Sequence, residues 1–171
     1  MAGALQVRGA WRGKLAAVLL AGAAAFAWAR VAADRYLIAF DVQKHYTCLP
    51  FDLFLVDRQV PRSLRRGSLV QFAAPPAAQR LTGAFTVVKV IAGIGGDTWR
   101  VANDELYVNG ELWGRLYLLN TLGLPPGALD GAGTVPAGSV LVLGTTPSSY
   151  DSRYWGPLPI QNVRGVAHVL L

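Results

Sequence analysis

The sequence predicts a mainly β fold, an antiparallel and barrel-like domain carried on one N-terminal transmembrane helix. Three observations lead there. An uncharged apolar run, Leu15 to Ala29, follows the basic residues Arg8, Arg12 and Lys14. Beyond it, short apolar runs alternate with turn residues along the rest of the chain. Nineteen glycines and ten prolines are spread through the 171 residues, which favours many short elements joined by turns over a helical bundle.

A bilayer core takes about 20 residues of helix, and no fewer than roughly 17. Leu15 to Ala33 reaches that length if Arg30 snorkels towards the interface, where Trp28 also sits. The positive flank places the N-terminus in the cytoplasm and everything past Ala33 outside it. The expected division is residues 1–34 as basic N-terminus and membrane anchor, and 35–171 as an extracytoplasmic domain. Two rivals stand beside the anchor. Ala25-Phe26-Ala27 and Ala27-Trp28-Ala29 fit the small-x-small pattern of a cleaved signal peptide, and an apolar helix can also be the buried helix of a soluble protein. Anchor and cleaved signal both export the remainder.

The strands follow in order. Leu53 to Val56 is a short apolar run, and Ser68 to Phe72 alternates with period two. Phe85 to Ile91 is rich in β-branched residues. Trp99 to Val101 and Glu105 to Val108 come next, the second ending at Asn109-Gly110, a dipeptide suited to a type I′ hairpin that returns along Glu111 to Trp113. Ser139 to Leu143 and Gly165 to Leu170 complete the set. Pro125-Pro126-Gly127 and Gly131-Ala132-Gly133 mark a long connection, and no strong helical periodicity follows the membrane segment. The stretch from Leu112 through Leu122 is unusually apolar for a connection. It is either a membrane-dipping surface or core, with core the commoner case.

Composition narrows the function. Hydrophobic residues make up 53% and charged residues 15%, so the chain is not disordered. The net charge of +6 comes from the N-terminus, the Arg58 to Arg66 region and scattered single residues rather than one basic tract, so no nucleic-acid partner is expected. Cys48 is the one cysteine, which excludes an intramolecular disulfide. It is either an inert buried thiol or a reactive one. His45 and His168 are far apart and lack cysteines at ligand spacing, so neither a metal nor a cofactor is expected.

Lys89 asks for a chemical explanation. Alternation puts Val87, Lys89 and Ile91 on one face of their strand and Val88 and Val90 on the other. A lysine there is either on a solvated face or a desolvated amine, and a desolvated amine can serve as a general base.

Four segments in order resemble the type I signal peptidase family. Thr47-Cys48-Leu49-Pro50 is similar to the nucleophile segment. Arg66-Gly67-Ser68-Leu69-Val70-Gln71-Phe72 is similar to the strand written Arg-Gly-Asp-x-Val-x-Phe. Lys89 through Gly93 to Gly96-Asp97 resembles the general-base segment. Val135-Pro136-Ala137-Gly138, Gly144 and then Ser149-Tyr150-Asp151-Ser152-Arg153-Tyr154-Trp155-Gly156 resemble the last. The short Cys48-Leu49-Pro50 brings the chain nearest to the conjugative-transfer peptidases of the TraF type, whose segment reads Ser-x-Pro.

The resemblance implies a signal-peptidase-like β domain on a single-pass anchor in a bacterial inner membrane. The implied activity is endopeptidase cleavage of exported proteins, a pilin or other transfer component in the conjugative branch. Lys89 would deprotonate the nucleophile at Cys48, Ser149 would orient the lysine, and Asp151 with Arg153 would form an ion pair behind them. The implied partners are an exported substrate, membrane lipid and the pilus machinery.

The sequence also departs from the family. Cys48 stands for serine, Val90 for the arginine after the base, Gly95 for a common proline and Asp52 for the conjugative branch's glycine. The acidic, asparagine-rich stretch after Gly144 is shortened to Thr145-Thr146-Pro147-Ser148. A thiol is intrinsically nucleophilic, so the exchange is chemically permitted. Two alternatives stand: an inactive homologue serving as a membrane-anchored assembly module, and a general preprotein signal peptidase. Gly93, Gly95 and Gly96 look like a phosphate loop, but the absence of a following Lys-Ser/Thr leaves turn geometry as the simpler account.

Overall fold

The structure, a computed structural model, describes residues 3–41 and 48–171. Thr47 of the nucleophile segment and His45 lie outside the described residues. The chain falls into two compact units, Met1–Leu37 and Ile38–Leu171.

The first unit is the helix α1 (Gly3–Arg35). Its segment Gly13–Arg35 is long and apolar enough to cross a bilayer by length and composition. Leu15, Val18, Leu19, Leu20, Phe26, Trp28 and Val31 all stand exposed along it.

The second unit is antiparallel β. Its larger sheet has the order β1-β2-β11-β3-β4-β9-β10. The strands are β1 (Tyr36–Phe40, of which Ile38 onward belongs to this unit), β2 (Leu53–Asp57), β3 (Leu69–Ala73), β4 (Thr86–Ile94), β9 (Ser139–Leu143), β10 (Leu158–Pro159) and β11 (Val163–Val169). A four-stranded sheet, β7-β6-β5-β8, is built from β5 (Thr98–Ala102), β6 (Glu105–Val108), β7 (Glu111–Arg115) and β8 (Gly131–Thr134). One core joins Val70 and Phe72 of β3, Ile91 of β4 and Val140 and Val142 of β9. Another packs Val101, Leu106 and Val108 against Leu141 and Leu143.

The eight strands expected from the apolar runs are all present, most of them lengthened by a residue or more. The hairpin turn is as expected: Asn109 (φ 53°) and Gly110 (φ 84°) are both left-handed, and Val108 pairs with Glu111. The structure also differs from expectation, and β1 and β10 are strands outside the expected set. Gly131–Thr134 is not part of a connection but the strand β8, paired with β5. Its glycines hid it because they lack side chains to alternate. Gly133 is needed because the Trp99 ring lies over it, where a Cβ would come within 3.0 Å of the ring. A helix also follows the N-terminal one: α2 (Pro76–Thr82) starts on proline and ends at Gly83 (φ 72°), whose N–H bonds the Gln79 carbonyl. It buries only Ala78, so it leaves no periodic apolar stripe to read. Finally, the apolar stretch from Leu112 divides. Leu116, Leu118 and Leu119 enter the core, whereas Leu112 and Tyr117 remain exposed.

Candidate active site

Lys89 lies in the middle of β4, paired with Val70 of β3. The solvated-face reading does not hold, because Lys89 is only 1% exposed. Its amine lies 2.8 Å from Cys48 Sγ and 2.8 Å from Ser149 Oγ, both buried contacts. Cys48 is held just before β2 in a cluster with Leu49, Phe54, Val56 and Ala167, and its carbonyl accepts the Thr145 N–H at 2.9 Å. Residues 41 and 60 positions apart in sequence are thus drawn onto one amine.

Behind the amine is a second layer. Asp151 is fully buried at the N-terminus of the short helix α3 (Ser152–Trp155). One carboxylate oxygen accepts Ser149 Oγ at 2.7 Å, the Gly144 N–H at 2.8 Å and Arg153 Nη2 at 2.6 Å. The other accepts Arg153 Nε at 2.8 Å and the Arg153 backbone N–H at 3.1 Å. The fork–fork geometry with Arg153 is the strong form of a buried ion pair. Burial alone would push the Asp151 carboxyl upward. The Arg153 hydrogen bonds and charge, with Lys89 and the Gly144 N–H, outweigh it and hold the group below the usual carboxylate range.

That charge fixes the direction of the network. An ionised Asp151 is acceptor-only, so Ser149 donates to it and must receive a hydrogen from Lys89. One N–H of the amine is therefore committed to Ser149, and the contact with Cys48 shares a single proton between nitrogen and sulfur. Arg153 completes the brace by donating to the Arg115 carbonyl at 3.1 Å and the Gly144 carbonyl at 3.4 Å.

Cys48, Lys89, Ser149, Asp151 and Arg153, the five residues singled out in the sequence, thus lie in one connected cluster. Gly144 is a further member that the sequence marked only as a motif position. A Cβ there would overlap Ser149 Oγ and reach within 2.5 Å of the Cys48 carbonyl. Gly144→Ala should therefore displace Ser149 or Cys48 and lower any turnover that depends on this cluster about a hundredfold, on the scale of a misplaced catalytic group. Turnover within threefold of wild type would show that the loop yields freely.

A second ion pair was not foreseen. Arg66 donates from Nε to Asp97 at 2.7 Å and makes a second, shorter contact through Nη2, tying the entry of β3 to the turn after β4. The signal was the pairing of Arg66-Gly67 with Gly96-Asp97 at the ends of two adjacent strands. Gly96 (φ 94°) with Asp97 accepting the Ile94 N–H makes this a tight turn, in line with the turn reading of the three glycines. The Arg66 hydrogen bonds, against the cost of burial and helped by the Ile94 N–H, hold Asp97 well below the usual carboxylate range. A carboxylate more acidic in the fold adds stability above its unfolded pKa of about 3.9 and loses it as pH falls through the lower folded value. Thermal melting should therefore be insensitive to Asp97 from pH 7 to 5 and fall below about pH 4. Asp97→Asn should melt lower at pH 7 and show a shallower acid limb; an unchanged acid limb would contradict the assignment.

The cluster opens on a cavity of about 90 Å³ lined by Cys48, Leu49, Phe54, Gln71, Val87 and Val88 among others. Beside it, Thr86 to Lys89 pair with β3 on one side, whereas β9 pairs with β4 only from Val90 onward. Among the described residues no group of three or more His, Cys, Asp or Glu could hold a metal ion.

Comparison with known proteins gives a consistent family. The family model described as signal peptidase, peptidase S26, matches residues 12–171. A probable signal peptidase I-2 of Synechocystis sp. is 35% identical over 109 residues, covering 63% of this chain and 48% of that protein. The signal peptidase I of Leptolyngbya laminosa is 36% identical over 110 residues, covering 61% and 51%. The chain therefore spans about half the length of these curated relatives. Among solved structures, a signal peptidase I from Enterococcus faecalis is 27% identical with a TM-score of 0.40, over 63% of this chain and 98% of that one.

Proposed function

The chain belongs to the peptidase S26 signal peptidase family, and from that premise we propose that it is a membrane-anchored endopeptidase in which Lys89 activates the Cys48 thiol to cleave exported proteins. The observation that carries this reading is the fully buried amine in simultaneous contact with Cys48 Sγ and Ser149 Oγ. In the first half-reaction Lys89 takes the thiol proton as sulfur bonds the scissile carbonyl carbon. The backbone N–H of Cys48 meets part of the developing oxyanion. The ammonium of Lys89 then returns the proton to the departing amine, leaving a thioester on Cys48. A water deprotonated by Lys89 attacks that thioester, and the thiol regains its proton from the same amine. Ser149 keeps one N–H of the amine occupied and so helps to turn its lone pair towards sulfur. Asp151 and Arg153 hold Ser149 in turn.

Two features of the geometry support an extended substrate. Among the described residues, the half of β4 from Thr86 to Lys89 has a strand partner on one ladder edge only, which suits strand addition beside the thiol. The cavity of about 90 Å³ at Cys48 has room for a small side chain, which suits cleavage after a small residue. Residues 1–34 act as basic N-terminus and anchor and 35–171 as the exported domain, in a bacterial inner membrane with the N-terminus in the cytoplasm. External protease on spheroplasts should digest the domain and spare a tag placed before Arg8.

For the substrates themselves, the curated relatives are signal peptidases I by name, which favours exported preproteins in general. The short Cys48-Leu49-Pro50 segment favours the conjugative branch and a pilin-like substrate, with the pilus machinery as partner. A strain carrying Cys48→Ala separates the two: loss of plasmid transfer alone supports the second, and accumulation of many uncleaved preproteins supports the first.

One observation favours a different class of function, since sulfur stands where the family carries oxygen. An inactive assembly module would leave wild type inert while Cys48→Ser cleaves. The peptidase reading expects wild type to cleave a small-residue peptide and Cys48→Ala to fall below detection.

A further inference from the structure

Gln71 is out of place in its strand. It sits at the centre of the larger sheet, opposite Val88 of β4 and Gly165 of β11. The residues on either side of it along β3, Val70 and Phe72, are wholly buried apolar groups. Gln71 itself is only 6% exposed, and it lines the same cavity as Cys48. Among the described residues its carboxamide has no hydrogen-bond partner, and its atoms are not among the sealed polar atoms of the core. A buried amide left unsatisfied is costly, and that cavity is open space beside it. Leu49, Phe54, Val87 and Val88 make much of the remaining wall apolar, and Asp41 and Thr86 are the other polar residues that line it.

We propose that Gln71 is a specificity-determining residue whose carboxamide hydrogen-bonds a small hydroxyl-bearing side chain of the exported chain held beside Cys48. The inference rests on the peptidase reading and adds the substrate chemistry to it. A carboxamide both donates and accepts, as a serine or threonine hydroxyl does. The cavity of about 90 Å³ has room for such a side chain. In an extended chain alternate residues face the same side, so the hydroxyl belongs either to the residue before the scissile bond or to the one two positions earlier.

The test uses the full chain in detergent and uncleavable peptides in which a reduced bond replaces the scissile amide. Serine and 2-aminobutyrate, its isostere with a methyl in place of the hydroxyl, are placed in turn at the two positions. Binding is measured for wild type, Gln71→Met and Gln71→Leu. Wild type should prefer serine by roughly five- to tenfold at one of the positions, the scale of one hydrogen bond. Both variants should abolish that preference. No serine preference in wild type, a preference that survives in the variants, or no peptide binding at all would each overturn the proposal, and a water satisfying the amide gives the first of these results. Cleavage of a matched alanine peptide is read in parallel. Discrimination without cleavage would sink the peptidase reading and keep Gln71 as a recognition residue; cleavage without discrimination would do the reverse.

Discussion

Replacing Lys89 by methionine should lower cleavage by about a thousandfold or more, within the range that general acid–base groups contribute. The same change should slow alkylation of Cys48, because the amine 2.8 Å from sulfur is the group placed to take its proton. Methionine keeps the length of the side chain and its apolar stem, so the fold has little reason to change around β4. A lysine whose role was merely to fill space would give a different pattern. Its replacement by methionine would leave both thiol reactivity and turnover near wild type, and any loss would track melting temperature. Measuring alkylation, turnover and melting on one preparation separates the two cases.

The second large effect is on stability. Arg153→Met should destabilise the domain by about 3–5 kcal/mol, the usual penalty for stranding one partner of a buried ion pair. Asp151 has no exposure at all, and Arg153 supplies three of the hydrogen bonds on its carboxylate, through the backbone N–H, Nε and Nη2. The double change Asp151→Asn with Arg153→Met should recover part of the loss, because the stranded charge is removed as well. A double variant no more stable than Arg153→Met would show that the arginine works through its contacts to the Arg115 and Gly144 carbonyls instead. Activity should fall in both, since Ser149 loses the acceptor charge that sets its direction.

How much of this was legible beforehand differs by residue. The strands were readable because Thr86–Ile94 and Ser139–Leu143 carry β-branched and apolar runs between turn signals. The strand Gly131–Thr134 was not, because its glycines carry no side chains to alternate and Gly133 makes room for a Trp99 ring that no local pattern reveals. Of the five clustered residues, Lys89 stood out from its apolar strand, and the other four were found from the resemblance to the signal peptidase family. Their geometry was not, because alternation says which residues share a face and not which face is covered. Lys89 could therefore be read as solvated or buried until β3 and the Ser149 loop were seen to enclose it. Gly144 and Gln71 were missed for a related reason. One matters through the absence of a side chain where two loops meet, and the other occupies a variable position of its motif. Neither property is local in sequence.

The most direct test of the account is to look for the thioester itself. Wild-type protein in detergent, mixed with a small-residue substrate peptide and quenched in acid within the first turnover, should gain the mass of the N-terminal fragment on Cys48. Cys48→Ala should show no adduct and no cleavage, and Lys89→Met should accumulate almost none. Cleavage by Cys48→Ala at the wild-type rate, or wild-type turnover with Cys48 unmodified throughout, would contradict the claim that this thiol is the nucleophile.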